Sequence, residues 1–362
     1  MKRSDKKKYR FDHTLQLIIL LLIVVGLVLL FSISAYNGKI KFQDSCYYLK
    51  KQGFATILGL IGMVVTARID YHKWIPFVIP GYLMAVALSV AVMFIGDEYN
   101  GSKRWLSLGP VSFQPSEFAK VALILFLAYT VSINAKSMGK WKTLIKTLLP
   151  VLPIVALVGA SNLSTAIIIL GIAAVLIFVA SPNYAQFIWL GVSAAGFMTI
   201  FLALESYRLE RLAVWRNPEL YDKGYQTLQG LYAIGSGGLF GNGLGNSIQK
   251  LGFLPEAQND MVFSIVCEEL GFFGAGSIVF LFLLLIWRLF VIASHAEDMF
   301  GALIAAGVMA HMVIQVVLNI AVVTNTIPNT GITLPFISYG GTSVLFLLVE
   351  MGLVLSVSNL IN

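Results

Sequence analysis

Apolar residues run along this chain in long uninterrupted blocks, and polar residues collect in the short stretches between them. About 20 helical residues cross a hydrocarbon core of ~30 Å. Blocks of that size can be placed at 15–36, 54–69, 75–95, 115–134, 144–160, 163–181, 185–204, 262–287, 301–323 and 338–359. The pattern predicts an all-α, polytopic membrane protein with about ten transmembrane helices, forming a single integral membrane domain over 1–362. The fifth and sixth blocks meet at Ala160-Ser161-Asn162, which predicts a tight helical hairpin. One segment breaks the pattern: residues 205–261 form a long polar loop between the seventh and eighth helices, closing on Leu254-Pro255-Glu256-Ala257-Gln258-Asn259-Asp260. Inside it, Gln226, Gln229 and Gly230 lie opposite Leu228, Leu231 and Ile234 at helical spacing, the mark of an amphipathic helix at a membrane surface. The glycines from Gly235 to Gly245 then forbid a continuous helix. Segment 96–114 is expected to be a shorter loop, with Trp105 at the interface.

Composition agrees with this reading and fixes a direction. Hydrophobic residues make up 58% of the chain and charged ones 12%, which excludes a soluble domain. If the N-terminus is cytoplasmic, that side holds thirteen Lys and Arg near span ends, among them Lys2, Arg3, Lys6, Lys7, Lys8, Arg10, Lys136, Lys140, Lys142, Lys146 and Arg288. The short external loops hold six: Lys39, Lys41, Lys50, Lys51, Lys103 and Arg104. The excess of Lys and Arg marks the inside, so both termini are expected in the cytoplasm and 205–261 outside. The net charge of +7 is then a topology signal, and no nucleic-acid partner is implied. Cys46 and Cys267 offer neither a disulfide framework nor a thiolate metal site. The first span lacks a small-residue cleavage pattern and is expected to stay as an anchor.

Candidate chemistry gathers near the outer face. Asp260 precedes the eighth helix, where the dipole favours an anion; it can be a general base or a helix cap. Glu117 and Lys120 share one face of the fourth helix. Buried membrane charges pair and often mark a substrate path, and a structural ion pair explains them equally well. Glu268 and Glu269 lie roughly 12 Å deeper if the helix is continuous, with a structural role favoured. Glu350 and His311 are intramembrane and receive no role. The glycine run matches neither the dinucleotide fingerprint nor the P-loop and reads as a flexible re-entrant loop. No His, Cys or carboxylate spacing suggests a metal cage.

Four stretches carry a resemblance: Lys103-Arg104-Trp105 with Gln114-Pro115-Ser116-Glu117-Phe118-Ala119-Lys120; Tyr225-Gln226, Gln229 and Ala233-Ile234-Gly235-Ser236-Gly237-Gly238 through Gly245; Leu254-Pro255-Glu256, Asp260 and Glu268-Glu269-Leu270-Gly271; and Leu334-Pro335-Phe336-Ile337-Ser338-Tyr339-Gly340-Gly341. With these the chain resembles the SEDS family (shape, elongation, division and sporulation), and is more similar to its division and sporulation branch (FtsW, SpoVE) than to its elongation branch (RodA). The resemblance implies ten transmembrane helices in the bacterial cytoplasmic membrane and a glycosyltransferase that polymerises lipid II at its outer face. It places the family's essential aspartate on Asp260 and its Glu-x-x-Lys on Glu117 and Lys120. It also implies a class B penicillin-binding protein transpeptidase as partner, with other membrane proteins of the division machinery. Two departures stand out: many members carry an aspartate where this chain has Asn162, and Asn259 and Met261 replace the usual residues beside Asp260.

Such a reaction needs a base for the attacking sugar hydroxyl and positive charge at the departing pyrophosphate. Asp260 is the expected base. Lys120, oriented by Glu117, is the first cation for the pyrophosphate, with Arg104 and Lys250 behind it; Gln226 and Gln229 are further candidates for substrate contact. No cofactor is evident, although a divalent cation could assist the pyrophosphate. Two rivals remain open: a lipid-linked precursor flippase, and a non-catalytic scaffold that recruits a transpeptidase.

Overall fold

The computed structural model describes residues 12–99, 102–108, 111–203 and 212–361. The basic N-terminal cluster up to Arg10 and the first residues of the long polar loop lie outside them. Helices dominate: α1 (His13–Phe42), α2 (Tyr47–Arg68), α3 (Val78–Ile95), α4 (Pro115–Asn134), α5 (Trp141–Leu148), α6 (Val151–Ser161), α7 (Leu163–Ala180), α8 (Tyr184–Ala203), α9 (Tyr225–Ser236), α10 (Val262–His295), α11 (Met299–Val323) and α12 (Gly341–Ser358). Every apolar block read from the sequence is thus helical. Seven helices among the described residues are long and apolar enough to cross a membrane, and α5 with α6 would make an eighth. The remaining two blocks are covered by α2 and α8, of 22 and 20 residues.

The structure corrects the sequence reading in several places. The fifth block is not one straight helix, because α5 and α6 are bent by 43° about Leu149-Pro150. Proline lacks the N–H that a continuous helix would use there. Segment 96–114 is not a loop but a three-stranded antiparallel sheet, β1 (Asp97–Tyr99), β2 (Ser102–Leu108) and β3 (Val111–Phe113). The Asn100-Gly101 pair between β1 and β2 is a hairpin signal in the sequence. Lys39 and Lys41 are in the last turn of α1, and Lys50 and Lys51 in the first turns of α2, so the loop between α1 and α2 shrinks to 43–46. Arg288 lies inside α10 and binds Asp12 at 2.7 Å.

Helix α11 occupies the centre, with Leu303, Ile304 and Val308 fully buried, and it packs against α4, α7, α10 and α12. Peripheral helices are two-faced. In α1, Leu15, Ile19, Leu22 and Ile33 are buried, whereas Leu17, Val24 and Val28 are exposed. An apolar stripe of that length is a liability in water and is solvated in lipid. Lipid also removes the hydrophobic drive between helices, so close packing by small residues must hold them. The α2–α12 pair shows this: a side chain at Gly352 would strike the Met63 carbonyl and the Thr66 hydroxyl, and one at Gly59 would meet Leu345 and Leu348.

Candidate functional site

The N-terminal part of α10 is built around a break. Gly271 has φ 67° and ψ −168°, a conformation essentially reserved for glycine, so α10 is broken just beyond Glu268 and Glu269, while the stretch that carries them is helical. The glycine-rich segment repairs the damage. Amides of Asn242 and Gly243 donate to the Glu268 and Glu269 carbonyls at 2.9 Å, and those of Phe272 and Phe273 donate to the Gly238 and Leu239 carbonyls at 2.9 and 3.1 Å. At membrane depth every backbone group needs such a partner. Side chains at Gly237 and Gly241 would run into the Cys267 and Glu269 carbonyls. The glycines therefore serve close backbone approach, and the flexible-loop reading is replaced by a pinned one.

The two glutamates beside the break are fully engaged. Glu268 accepts from the Ser247 hydroxyl and from the Ile248 amide at 2.9 Å. Glu269 pairs with Lys250 at 2.6 Å and accepts from Ser32 of α1 at 2.7 Å. Lys250, expected as a spare cation for a pyrophosphate, instead fastens the loop to α10 and α1; the acid that neutralises it lies 19 residues away in sequence.

Asp260 contrasts with them. It lies one residue before the cap position, which Met261 holds with no side-chain cap bond, so its carboxylate is not spent as a helix cap. Its surroundings are amides: Gln226 of α9 approaches at 3.5 Å, the outer limit of a hydrogen bond, and the Gln226 carbonyl accepts from Asn329 at 3.0 Å. Asn319 of α11 holds the backbone carbonyls of Asp260 and Ile332 at 2.8 and 2.7 Å. Gly331 leaves space beside the carboxylate. No cation pairs with Asp260 among the described residues, and only 8% of its surface is exposed. Burial and, secondarily, the charge of Glu256 push its carboxyl up to about 7. The last motif braces this loop, since the Tyr339 amide donates to the Gln258 carbonyl at 2.8 Å while Asn37 of α1 donates to the Gln258 side chain at 3.2 Å. Gln229, half-buried on α9, makes no side-chain hydrogen bond to another described residue.

The second charged pair heads α4. Pro115 occupies the first turn, where its missing N–H costs nothing. Glu117 then contacts Lys120 at 3.0 Å, with both buried. Lys120 uses one of its three donors in this way, and Glu117 Oε2 has no partner among the described residues. Arg104 on β2 donates to the Ser161 carbonyl at 2.9 Å and lines a small cavity with Gln114, Ser116 and Asn162. It is thereby brought to the head of α4. Asn162 accepts from the Thr165 amide at 3.2 Å as the cap of α7, a job a carboxylate would do equally well. The sequence reading assigned nothing to His311 and Glu350, yet they lie 2.8 Å apart, each 1% exposed, with His311 within electrostatic reach of Glu117. Asn319 and Asn329 were missed too. A lone amide in an apolar span such as Asn319 was the available signal. No group of three or more His, Cys, Asp or Glu among the described residues is arranged to hold a metal ion.

Known proteins are similar to this chain over nearly its whole length. Stage V sporulation protein E of Bacillus subtilis (strain 168) is 40% identical, over 97% of this chain and 98% of that protein. A probable peptidoglycan glycosyltransferase FtsW of Trichlorobacter lovleyi is 35% identical, over 98% and 95%. Among solved structures, a chain described under "Structural coordination of polymerization and crosslinking by a peptidoglycan synthase complex" superposes with a TM-score of 0.81 at 27% identity, covering 97% of this chain and 98% of that one. The Thermus thermophilus rod shape determining protein RodA gives 0.71 at 28%, covering 96% of each. The family model for cell cycle proteins of the FtsW, RodA and SpoVE type matches residues 12–361. With full-length relatives at this identity and a family model matching residues 12–361, the chain belongs to the FtsW/RodA/SpoVE family of multi-pass membrane proteins.

Proposed function

We propose that this protein is an inverting peptidoglycan glycosyltransferase that polymerises lipid II at the outer face of the bacterial cytoplasmic membrane, in division or sporulation. The observation that carries the reading is the state of Asp260: a buried carboxylate among amides, with no counter-cation among the described residues and a pKa raised to about 7. Such a group exchanges a proton near neutrality, as a general base must. The 4-hydroxyl of the acceptor's GlcNAc attacks C1 of the donor's MurNAc, forming the glycosidic bond. The hydroxyl proton passes to Asp260, and the C1–oxygen bond to the lipid pyrophosphate breaks with inversion. Gln226 and Gln229 stand on the helix facing this carboxylate and suit the sugar amides and hydroxyls. Lys120, with donors to spare, is the cation for the departing pyrophosphate, and Glu117 orients it. Arg104 stands beside them. Both charged residues of α4 are sealed in this structure, so the pyrophosphate reaches them only if the outer ends of the helices part. Lys250, neutralised by Glu269, is left as a fastener. A class B penicillin-binding protein transpeptidase is the proposed partner, on the strength of the synthase complex to which the chain is similar.

The deciding experiment uses purified lipid II, with the partner transpeptidase present and its own chemistry blocked. Asp260→Asn keeps shape and capping ability but cannot take the proton. It is expected to insert normally and to make no glycan strands. A variant that polymerises at near wild-type rate removes Asp260 from the mechanism, and a wild-type protein that makes no strands favours the flippase or the scaffold. The outer-face assignment also requires both termini inside. An impermeant thiol reagent on a Cys-free background should label cysteines introduced in the 220s of intact cells and spare those in the 140s; the reverse pattern overturns the orientation.

A further inference from the structure

At the C-terminal end of α4, the end opposite the site just described, lies a cavity of about 230 Å³ between α4 and α5. Phe126, Thr130 and Asn134 line it from α4, and Lys142, Thr143, Lys146 and Thr147 from α5. We propose that it binds the phosphate headgroup of an anionic membrane phospholipid.

Charge is the first reason. No Asp or Glu occurs between Glu117 and Glu205, while Lys136, Lys140, Lys142 and Lys146 fall within that interval. Lys142 and Lys146 form no ion pair with any described residue, in contrast to Lys120 and Lys250. Set one turn apart at i and i+4, they lie on one face of α5. The donor inventory is the second reason. Thr130 and Thr147 donate their hydroxyl protons to the Phe126 and Thr143 carbonyls within their own helices, at 2.8 and 3.0 Å, and the Asn134 amide donates to the Thr130 carbonyl at 2.8 Å. The two ammonium groups and the Thr143 hydroxyl remain, a donor set that suits a phosphate.

The shape of α5 selects a lipid over a free ion. At about 100° per residue, Trp141, Ile145 and Leu149 form one stripe along α5 and its extension, and the lysines form the next stripe. Trp141, Ile145 and Leu149 are 44%, 59% and 62% exposed, whereas Leu144 and Thr147 are buried against the bundle. A stripe that turns its apolar side outward next to lysines is the arrangement of an interfacial helix, with tryptophan at the boundary. The bend at Leu149-Pro150 holds α5 out of line with α6. An anion seated between Lys142 and Lys146 therefore has apolar surface directly beside it, where acyl chains can lie. Basic pockets between transmembrane helices take anionic headgroups for this reason. In the orientation proposed above this is the cytoplasmic leaflet, but the site does not depend on that orientation or on the polymerase reading.

The test is native mass spectrometry of the purified full-length protein in detergent with added dioleoyl phosphatidylglycerol, dioleoyl phosphatidylcholine or inorganic phosphate. One phosphatidylglycerol is expected to bind at least tenfold more tightly than phosphatidylcholine. Lys142→Gln with Lys146→Gln should abolish that preference, Lys142→Arg with Lys146→Arg should keep it, and Lys50→Gln with Lys51→Gln should leave it untouched. If the double glutamine variant does not fold, Lys146→Gln alone should weaken the preference and so carries the test. Equal binding of the two lipids, or an undiminished preference in the glutamine variants, overturns the proposal. Displacement of the lipid by millimolar inorganic phosphate would mark an ion site and overturn it as well.

Discussion

Asp260 and Glu269 stand nine residues apart at the N-terminal end of α10, and both are buried carboxylates. Glu269 is enclosed by Lys250 and Ser32 and ties together a loop and two helices. Asp260 receives one long side-chain contact from Gln226, backbone amides at Asp260 and Met261, and no cation among the described residues. The first arrangement satisfies a charge and fixes a structure; the second leaves a charge costly and therefore easily protonated. A buried carboxylate that the fold could have paired, and did not, is where chemistry is expected. Lys120 and Lys250 divide in the same way: one spends a single donor, the other bridges Glu269 and Ser32.

The strongest test of that division is Lys120. If it acts on a pyrophosphate at a fixed place, Lys120→Ala should lower lipid II polymerisation by a factor of about 100 or more. The swap Glu117→Lys with Lys120→Glu, which keeps a pair, should not restore it. Full activity in a normally folded swap variant would put Lys120 beside Lys250 as a fastener. Next in size is stability. Removing one partner of a buried pair costs about 3–5 kcal/mol, so Glu269→Ala should lower the thermal unfolding midpoint in detergent sharply. Replacing Glu269 and Lys250 together by apolar residues should recover much of the loss, whereas Asp260→Asn should leave the midpoint unchanged or raised. Equal destabilisation by Asp260→Asn and Glu269→Ala would erase the contrast. The smallest expected effect is graded. Asp260 works as a base only when ionised, and its pKa is raised to about 7. Polymerisation should therefore fall roughly tenfold per pH unit below that value and level off above it. A flat profile from pH 5 to 8 would show that another group titrates.

Much of this was readable beforehand because a membrane imposes coarse rules. Each apolar block became helical, the fifth as two bent helices, and Pro115 and Asn162 mark helix starts by local chemistry that needs no tertiary partner. The glycines announced an unusual backbone but not its purpose, since what they approach, the carbonyls of Cys267 and Glu269, comes from another element. The sheet at 97–113 was missed although Asn100-Gly101 signalled a hairpin. Asn319 and His311 received no role because one polar residue in an apolar helix looks alike whether it meets a backbone carbonyl, an acid or a substrate, and Asn329 was missed in the irregular segment before α12.

The sequence by itself determined the helical class, the membrane and the family, and it singled out Asp260 as a candidate, because hydropathy and motif wording are written in consecutive residues. Which charges are paired was decided only by the tertiary structure. Glu269 finds its lysine in a loop and its hydroxyl on α1; Asp260 finds an amide from α9 that Asn329 holds in turn, and Lys142 and Lys146 find no acid among the described residues. Electrostatic fate depends on distance and burial, and those are set by how remote segments pack.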